Sequence, residues 1–335
     1  MKLFLSLSII FAAALARGAD YPAIGEIERL DPALDALIAK DAKIEKLAGG
    51  ITWAEGPVWK DGALLFSDVP ANIVYRWAPG MQQALPFLTP SGGSDDRTGF
   101  SEPGSNGLAL DAQGRLILCQ DATRRLARME PDGSFTVLVD RFEGKKFNSP
   151  NDLAIARNGD IYFTDPPYGL KGGDKSPLKE MPFAGVFRLA ADGSVSLQLK
   201  DLGYPNGIAL SPDEKTLYVG LTDPAFPRIL AYDVQPDGSV AHERLFFDAR
   251  PLQSQGLKGS CDGMKVDIHG NIFTSGPGGF LVLSPEGKHL GSIHSGDLIA
   301  NANWGDDGST LYLAGNHTLL RVKTLTKGAT FTSRP

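Results

Sequence analysis

Six stretches of the chain repeat one pattern of apolar and polar positions. EGPVWKDGALLFSD begins at Glu55, NGLALDAQGRLILCQ at Asn106 and NDLAIARNGDIYFTD at Asn151. NGIALSPDEKTLYVG begins at Asn206, DGMKVDIHGNIFTS at Asp262 and ANANWGDDGSTLYLAG at Ala300. In each, an opening residue leads into a short alternating strand. A turn rich in Gly, Asp or Asn follows, and then a second apolar strand. The register is tight. Phe66, Ile117, Tyr162 and Phe273 lie 11 residues after their openers, and Tyr218 and Tyr312 lie 12 after theirs.

The openers are separated by 51, 45, 55, 56 and 38 residues, and several units end in a further hairpin such as Pro131-Asp132-Gly133 or Pro236-Asp237-Gly238. Strand pairs joined by such turns, at about 40 to 50 residues per unit, mark four-stranded propeller blades. The pattern predicts an all-β fold, a six-bladed β-propeller formed as one domain over residues 20–335. Ahead of the first unit, LDPALDALIAKDAK predicts a short N-terminal helix with Asp31 as N-cap and Pro32 at its first position. The IEKLAG segment after it is expected to pair with the C-terminal LLRVKT and close the ring. Two inserts, GMQQALPFLTPSGGSDDRTGFSEPG and PPYGLKGGDKSPLKEMPF, read as loops, the second placed to fold over one mouth of the channel.

The first strand of each blade lines the channel, so equivalent residues form a ring about the axis. That ring is Glu55, Asn106, Asn151, Asn206, Asp262 and Ala300: two carboxylates, three amides and one blank. Such oxygens suit a hard divalent cation, and two carboxylates balance its charge. Asn-Gly and Asp-Gly are also common turn pairs. Against that reading, each unit carries a separate hairpin turn seven or eight residues later, and Glu55 is not a turn former.

Composition narrows the setting. Hydrophobic residues make up 42%, charged residues 21%, and the net charge of −6 is mild with Lys and Arg scattered. No nucleic-acid face or basic membrane patch is indicated. Residues 1–19 read as a cleaved signal peptide with a cut after Ala16 or Ala19. The apolar run from Leu3 to Ala16 is shorter than the roughly 20 residues of a membrane span. A periplasmic or secreted protein follows, with no membrane association after cleavage. Cys119 and Cys261 fall in non-adjacent units and are expected as free buried thiols. The five histidines show no ligand spacing. No GxSxG elbow, P-loop or dinucleotide fingerprint is present.

EGPVW, SPND, YPNG and CDGM together resemble the senescence-marker-protein/gluconolactonase family, which includes regucalcin-like lactonases and is related to diisopropyl-fluorophosphatase. IERLDPALDALIAKDAKIEKLAGGITWAEGPVW and FNSPNDLAIARNGDIYFTDPPYGL are similar to its bacterial gluconolactonase branch. The resemblance implies one divalent cation, usually calcium, with zinc, magnesium and manganese compatible. Its ligands would be Glu55, Asn151, Asn206 and Asp262, with Asp262 also closest to the chemistry. Asn106, Asn151, Asp165 and Tyr168 are the candidates for lining the substrate pocket; Asp165 and Tyr168 end the second strand of the Asn151 blade, where a plain loop role is equally open. Two departures bear on specificity: Ser149 stands where regucalcin-like members have Arg, and Asp121 where bacterial relatives often have His.

The expected activity is metal-dependent hydrolysis of a sugar-acid lactone, a small-molecule substrate, with Asp262 as the proton shuttle and no obligatory protein partner. A phosphotriesterase-like hydrolase on the same site and a non-catalytic propeller module with a structural ion are the alternatives.

Overall fold

The computed structural model describes residues 20–332. The expected signal peptide, residues 1–19, lies outside the described residues. Six antiparallel sheets stand around one axis, and each begins on an innermost strand that carries or directly follows an opener. Those strands are Ala54–Lys60, Ser105–Leu110, Leu153–Ile155, Pro205–Leu210, Met264–Val266 and Ile299–Gly305, for blades I to VI in chain order.

Blades I to V complete their four strands with consecutive segments. Blade VI takes its fourth strand, Ile44–Gly49, from the N-terminal end of the chain, beside Thr318–Lys323. The ring is closed as the pattern predicts, and Arg321 Nε donates to Glu45 Oε2 at 2.7 Å across the seam. Two further N-terminal strands add outer edges: Glu26–Arg29 to blade V and Ala23–Ile24 to blade VI.

The expected N-terminal helix is a single 3-10 turn, Pro32–Ala36, capped by Asp31 Oδ1, which accepts from Ala33 N at 2.8 Å. Its three-residue repeat stacks Leu34 and Leu37 on one side, and both are buried against blades V and VI. The first insert also differs from expectation. Leu85–Leu88 within it is the outer strand of blade I, paired with Ile73–Trp77. It is four residues long, exposed and interrupted by Pro86, so it shows no burial alternation from which to read it.

Adjacent blades meet through apolar faces. Phe273 of blade V and Trp304 of blade VI pack edge to face at 5.1 Å between centroids. Cys119 and Cys261 are both free and buried, in separate core clusters. No helix among the described residues is long and apolar enough to cross a membrane.

Candidate active site

The openers converge because the residue after most of them has no side chain. Gly56, Gly107, Gly207 and Gly263 let the innermost strands press together at the axis. A Cβ on Gly56 would fall 2.3 Å from Asn106 O, and one on Gly207 would fall 2.2 Å from Asp262 O. These Asn-Gly and Asp-Gly pairs serve close approach, not hairpin turns. The opener carbonyls are gripped by the neighbouring blade: Gly107 N donates to Asn151 O at 2.7 Å and Gly263 N to Ala300 O at 2.8 Å. Thr164 Oγ1 likewise donates to Asn206 O at 2.7 Å.

The ring side chains are withdrawn from bulk water. Glu55, Asn106, Asn151 and Asn206 are 3–6% exposed. Asp262 is more open as a residue, but its Oδ1 is buried and, like Asn106 Oδ1, has no hydrogen-bond partner. Glu55 Oε2 accepts from Gly56 N at 3.0 Å and from Asn301 Nδ2 at 3.1 Å, while Oε1 accepts no hydrogen bond from the described residues. Burial, then the nearby Asp152 charge, raises the Glu55 carboxyl to about 7. Burial raises Asp262 well above the usual carboxylate range, with Glu55, Asp152 and Glu102 adding repulsion. Buried acids that repel one another, next to acceptors with no donor, form a site that a cation would satisfy.

No group of three or more His, Cys, Asp or Glu converges as a metal cluster among the described residues. The oxygens here are two carboxylates and three amides, and this donor set fits a hard divalent ion. Glu55, Asn151, Asn206 and Asp262 are the residues that would hold it.

The family model for the SMP-30/gluconolactonase/LRE-like region matches residues 53–317. The chain belongs to this family. It is 43% identical over 313 residues to the gluconolactonase of Zymomonas mobilis, covering 91% of this chain and 88% of that protein. Among solved structures it is similar to a putative gluconolactonase at 33% identity and TM-score 0.78, covering 90% of this chain and 99% of that one. A gluconolactonase from Xanthomonas campestris matches at 32% identity and TM-score 0.77, over 90% and 97% of the two chains.

Around the ring of this family member, the two inserts meet. Ser101 N donates to Gly169 O at 2.9 Å and Lys171 N to Gly99 O at 2.8 Å, so the segments brace each other. Tyr168 pairs its hydroxyl with Thr222 and stacks on Tyr204 at 5.8 Å. Burial raises its phenol, and Asp262 is close enough to add to that shift. Tyr168 thus lies where the two inserts meet, its carbonyl accepting from Ser101 Oγ at 2.9 Å.

Asp165 is fully buried, and its carboxylate accepts from Asn148 N at 2.8 Å and Ser149 N at 2.9 Å. Both oxygens are committed to the backbone that leads into Asn151, so Asp165 positions that opener and does not line the pocket. Ala300 leaves its place in the ring blank, but the next residue, Asn301, turns into the axis and meets both Glu55 and Asp152.

Other side chains at the site carry no repeat signal. Asp121 is 1% exposed with Oδ1 unpartnered, and it packs under Gly169, where a Cβ would fall 2.8 Å from Oδ2. Burial raises it well above the carboxylate range, with Glu102, Asp165 and Glu55 adding. Burial alone raises Glu102 to about 7. Burial thus shifts both acids toward the protonated form. Only the departure from the family pattern at Asp121 pointed to it in the sequence. The opposite mouth opens into a cavity of about 760 Å³ whose lining includes Leu108, Leu153, Ile208, Lys265 and Asn303 but none of the openers.

Proposed function

We propose that the chain is a lactonase of gluconolactonase type that hydrolyses a sugar-acid lactone, using a divalent cation held by Glu55, Asn151, Asn206 and Asp262. The observation that carries this is the pair of mutually repelling carboxylates, Glu55 and Asp262, beside Asn106, with the buried Asp262 Oδ1 and Asn106 Oδ1 both lacking a donor. Family membership and the likeness to gluconolactonases support the lactone as substrate. Calcium is the ion best matched by an all-oxygen donor set with two carboxylates. Export to the periplasm or beyond completes the reading, on the strength of residues 1–19.

A bound divalent cation would supply Lewis-acid polarisation of the lactone carbonyl and the positive charge that keeps both acids ionised. The remaining steps belong to side chains of this chain. Ionised Asp262 takes a proton from the attacking water. As the ring C–O bond breaks, Asp262 returns that proton to the departing ring oxygen, leaving a hydroxy acid. Asn106 offers an amide to orient the substrate. Tyr168, backed by Tyr204, forms a flat apolar wall, and Glu102 and Asp121 donate to sugar hydroxyls. Phosphoester hydrolysis and a purely structural ion have no supporting observation beyond the shared fold.

A panel of sugar-acid lactones assayed with and without chelator tests the proposal. Hydrolysis that a chelator abolishes and calcium restores is the expected result. Turnover indifferent to chelation removes the metal from the chemistry, and no turnover of any lactone overturns the reading.

A further inference from the structure

We propose that Asn301 is a positioning residue for the axial site, fixing Glu55 so that a single carboxylate oxygen is left for the cation. The inference rests on the cation reading given above and adds a residue that the ring of openers does not include.

The residue after each opener is glycine in blades I, II, IV and V, and Asp152 and Asn301 in blades III and VI. Blades III and VI face each other across a six-bladed ring. Where the glycines clear space, these two side chains fill it, and Asn301 Nδ2 donates to Asp152 Oδ2 at 3.2 Å across the axis. The same nitrogen donates to Glu55 Oε2 at 3.1 Å.

The orientation of the Asn301 amide is determined by its partners. Its Oδ1 accepts from Ala302 N at 2.9 Å and from Lys265 Nζ at 3.1 Å, while its Nδ2 faces only carboxylates. A flipped amide would put oxygen against two acids and nitrogen against two donors, losing every one of these bonds. Swinging away is also barred. Asn301 is 1% exposed, and its side chain lies against Gly263, where a Cβ would fall 2.1 Å from Asn301 Cγ. Lys265 is moored in turn by Met264 O at 2.9 Å and lies 3.9 Å from Asp152 Oδ2.

Glu55 Oε2 is therefore saturated by Gly56 N and Asn301, and Oε1 accepts no hydrogen bond from the described residues. A carboxylate held in this way keeps one oxygen aimed at the ion and loses little rotational freedom on binding it. Groups that orient metal-binding side chains typically contribute about 10–100-fold to metal affinity or activity.

The test is calorimetric titration of calcium chloride into the metal-free wild type and Asn301→Ala, beside assays of glucono-1,5-lactone hydrolysis over a calcium series. The expected result is a calcium Kd weaker by about 10–100-fold in the variant. The calcium concentration for half-maximal activity should move by the same factor, and kcat at saturating calcium should stay near that of the wild type. A brace that only held the blades together would lower thermal stability without moving the calcium Kd. Should Asn301→Ala fail to fold, Asn301→Ser keeps a polar group there that is too short to reach Glu55. A folded variant that binds calcium as tightly as the wild type overturns the positioning role alone. A wild type that takes up no divalent ion overturns the cation reading along with it.

Discussion

The carboxylate of Asp165, at the end of the second strand of blade III, holds the backbone N–H groups of Asn148 and Ser149 at 2.8 and 2.9 Å. The segment held there runs directly into Asn151, so an acid that faces no substrate decides where an axial amide stands. Blade I uses a similar clamp, with Asp68 accepting from Thr52 N at 2.9 Å and Trp53 N at 3.2 Å just ahead of Glu55. Asp165→Ala strands two buried donors, each costing about 1–3 kcal/mol. Chemical denaturation should show a loss of a few kcal/mol. Asp165→Asn, which keeps one acceptor, should lose about half as much.

Calcium should stabilise the protein increasingly as pH rises. Glu55 is raised to about 7 and Asp262 is also raised, so the metal-free folded state holds protons that the unfolded chain has already released. Stability of the metal-free protein is then fullest below the usual carboxylate range and falls as pH climbs through about 7. A bound cation favours the ionised acids and displaces those protons. Thermal melts from pH 5 to 8 should show the metal-free Tm falling and the gap to the calcium-loaded Tm widening. A gap that narrows with pH would contradict the assignment of these two acids to the ion.

Glu102 and Asp121 are proposed to donate to the hydroxyls of the substrate. Glu102→Gln and Asp121→Asn keep hydrogen-bonding groups of similar size, so both variants should fold and bind calcium as the wild type does. The acids' particular donor geometry toward sugar hydroxyls is changed. KM for polyhydroxylated lactones should rise by several-fold, about 1 kcal/mol per altered hydrogen bond. An unhydroxylated lactone of the same ring size should be hydrolysed as before. Equal effects on both substrates would point to a disturbed site, not to recognition.

Much of this architecture was legible in the chain. The 11- to 12-residue spacing from Glu55 to Phe66 and its counterparts is a strand, a turn and half a strand, and only a repeated hairpin produces it six times. The pairing of Ile44–Gly49 with Thr318–Lys323 was legible because both ends carry an unpartnered apolar strand. What escaped was side-chain direction at the crowded axis. Asp152 and Asn301 read as ordinary strand residues until four glycines at the same place show that the axis has almost no room. Lys265, three residues after Asp262, gives no signal in the pattern, yet its ammonium ends beside the buried Asn301 and Asp152. Asp165 ends a strand near the mouth, where a loop role and a substrate-facing role are equally open, and alternation cannot tell which backbone a terminal carboxylate will hold. Leu85–Leu88 was missed because an exposed edge strand carries no burial pattern.

The central claim, that Asp262 moves the proton as well as holding the ion, is tested most directly by Asp262→Asn. Asn keeps an amide oxygen for the cation, as Asn151 and Asn206 are proposed to offer, so calcium should still bind at high concentration. The proton shuttle is lost, and removal of a general acid–base group costs about 10²–10⁴ in rate. Glu55→Gln is the comparison, since it removes charge from the ion's surroundings and leaves the shuttle intact; added calcium should restore a larger share of its activity. The measurement is kcat for lactone hydrolysis by calcium-saturated Asp262→Asn, with bound calcium quantified in the same sample. A folded, calcium-loaded variant whose turnover falls by about 10²–10⁴ is the predicted result. One that hydrolyses lactones as fast as the wild type would contradict the account.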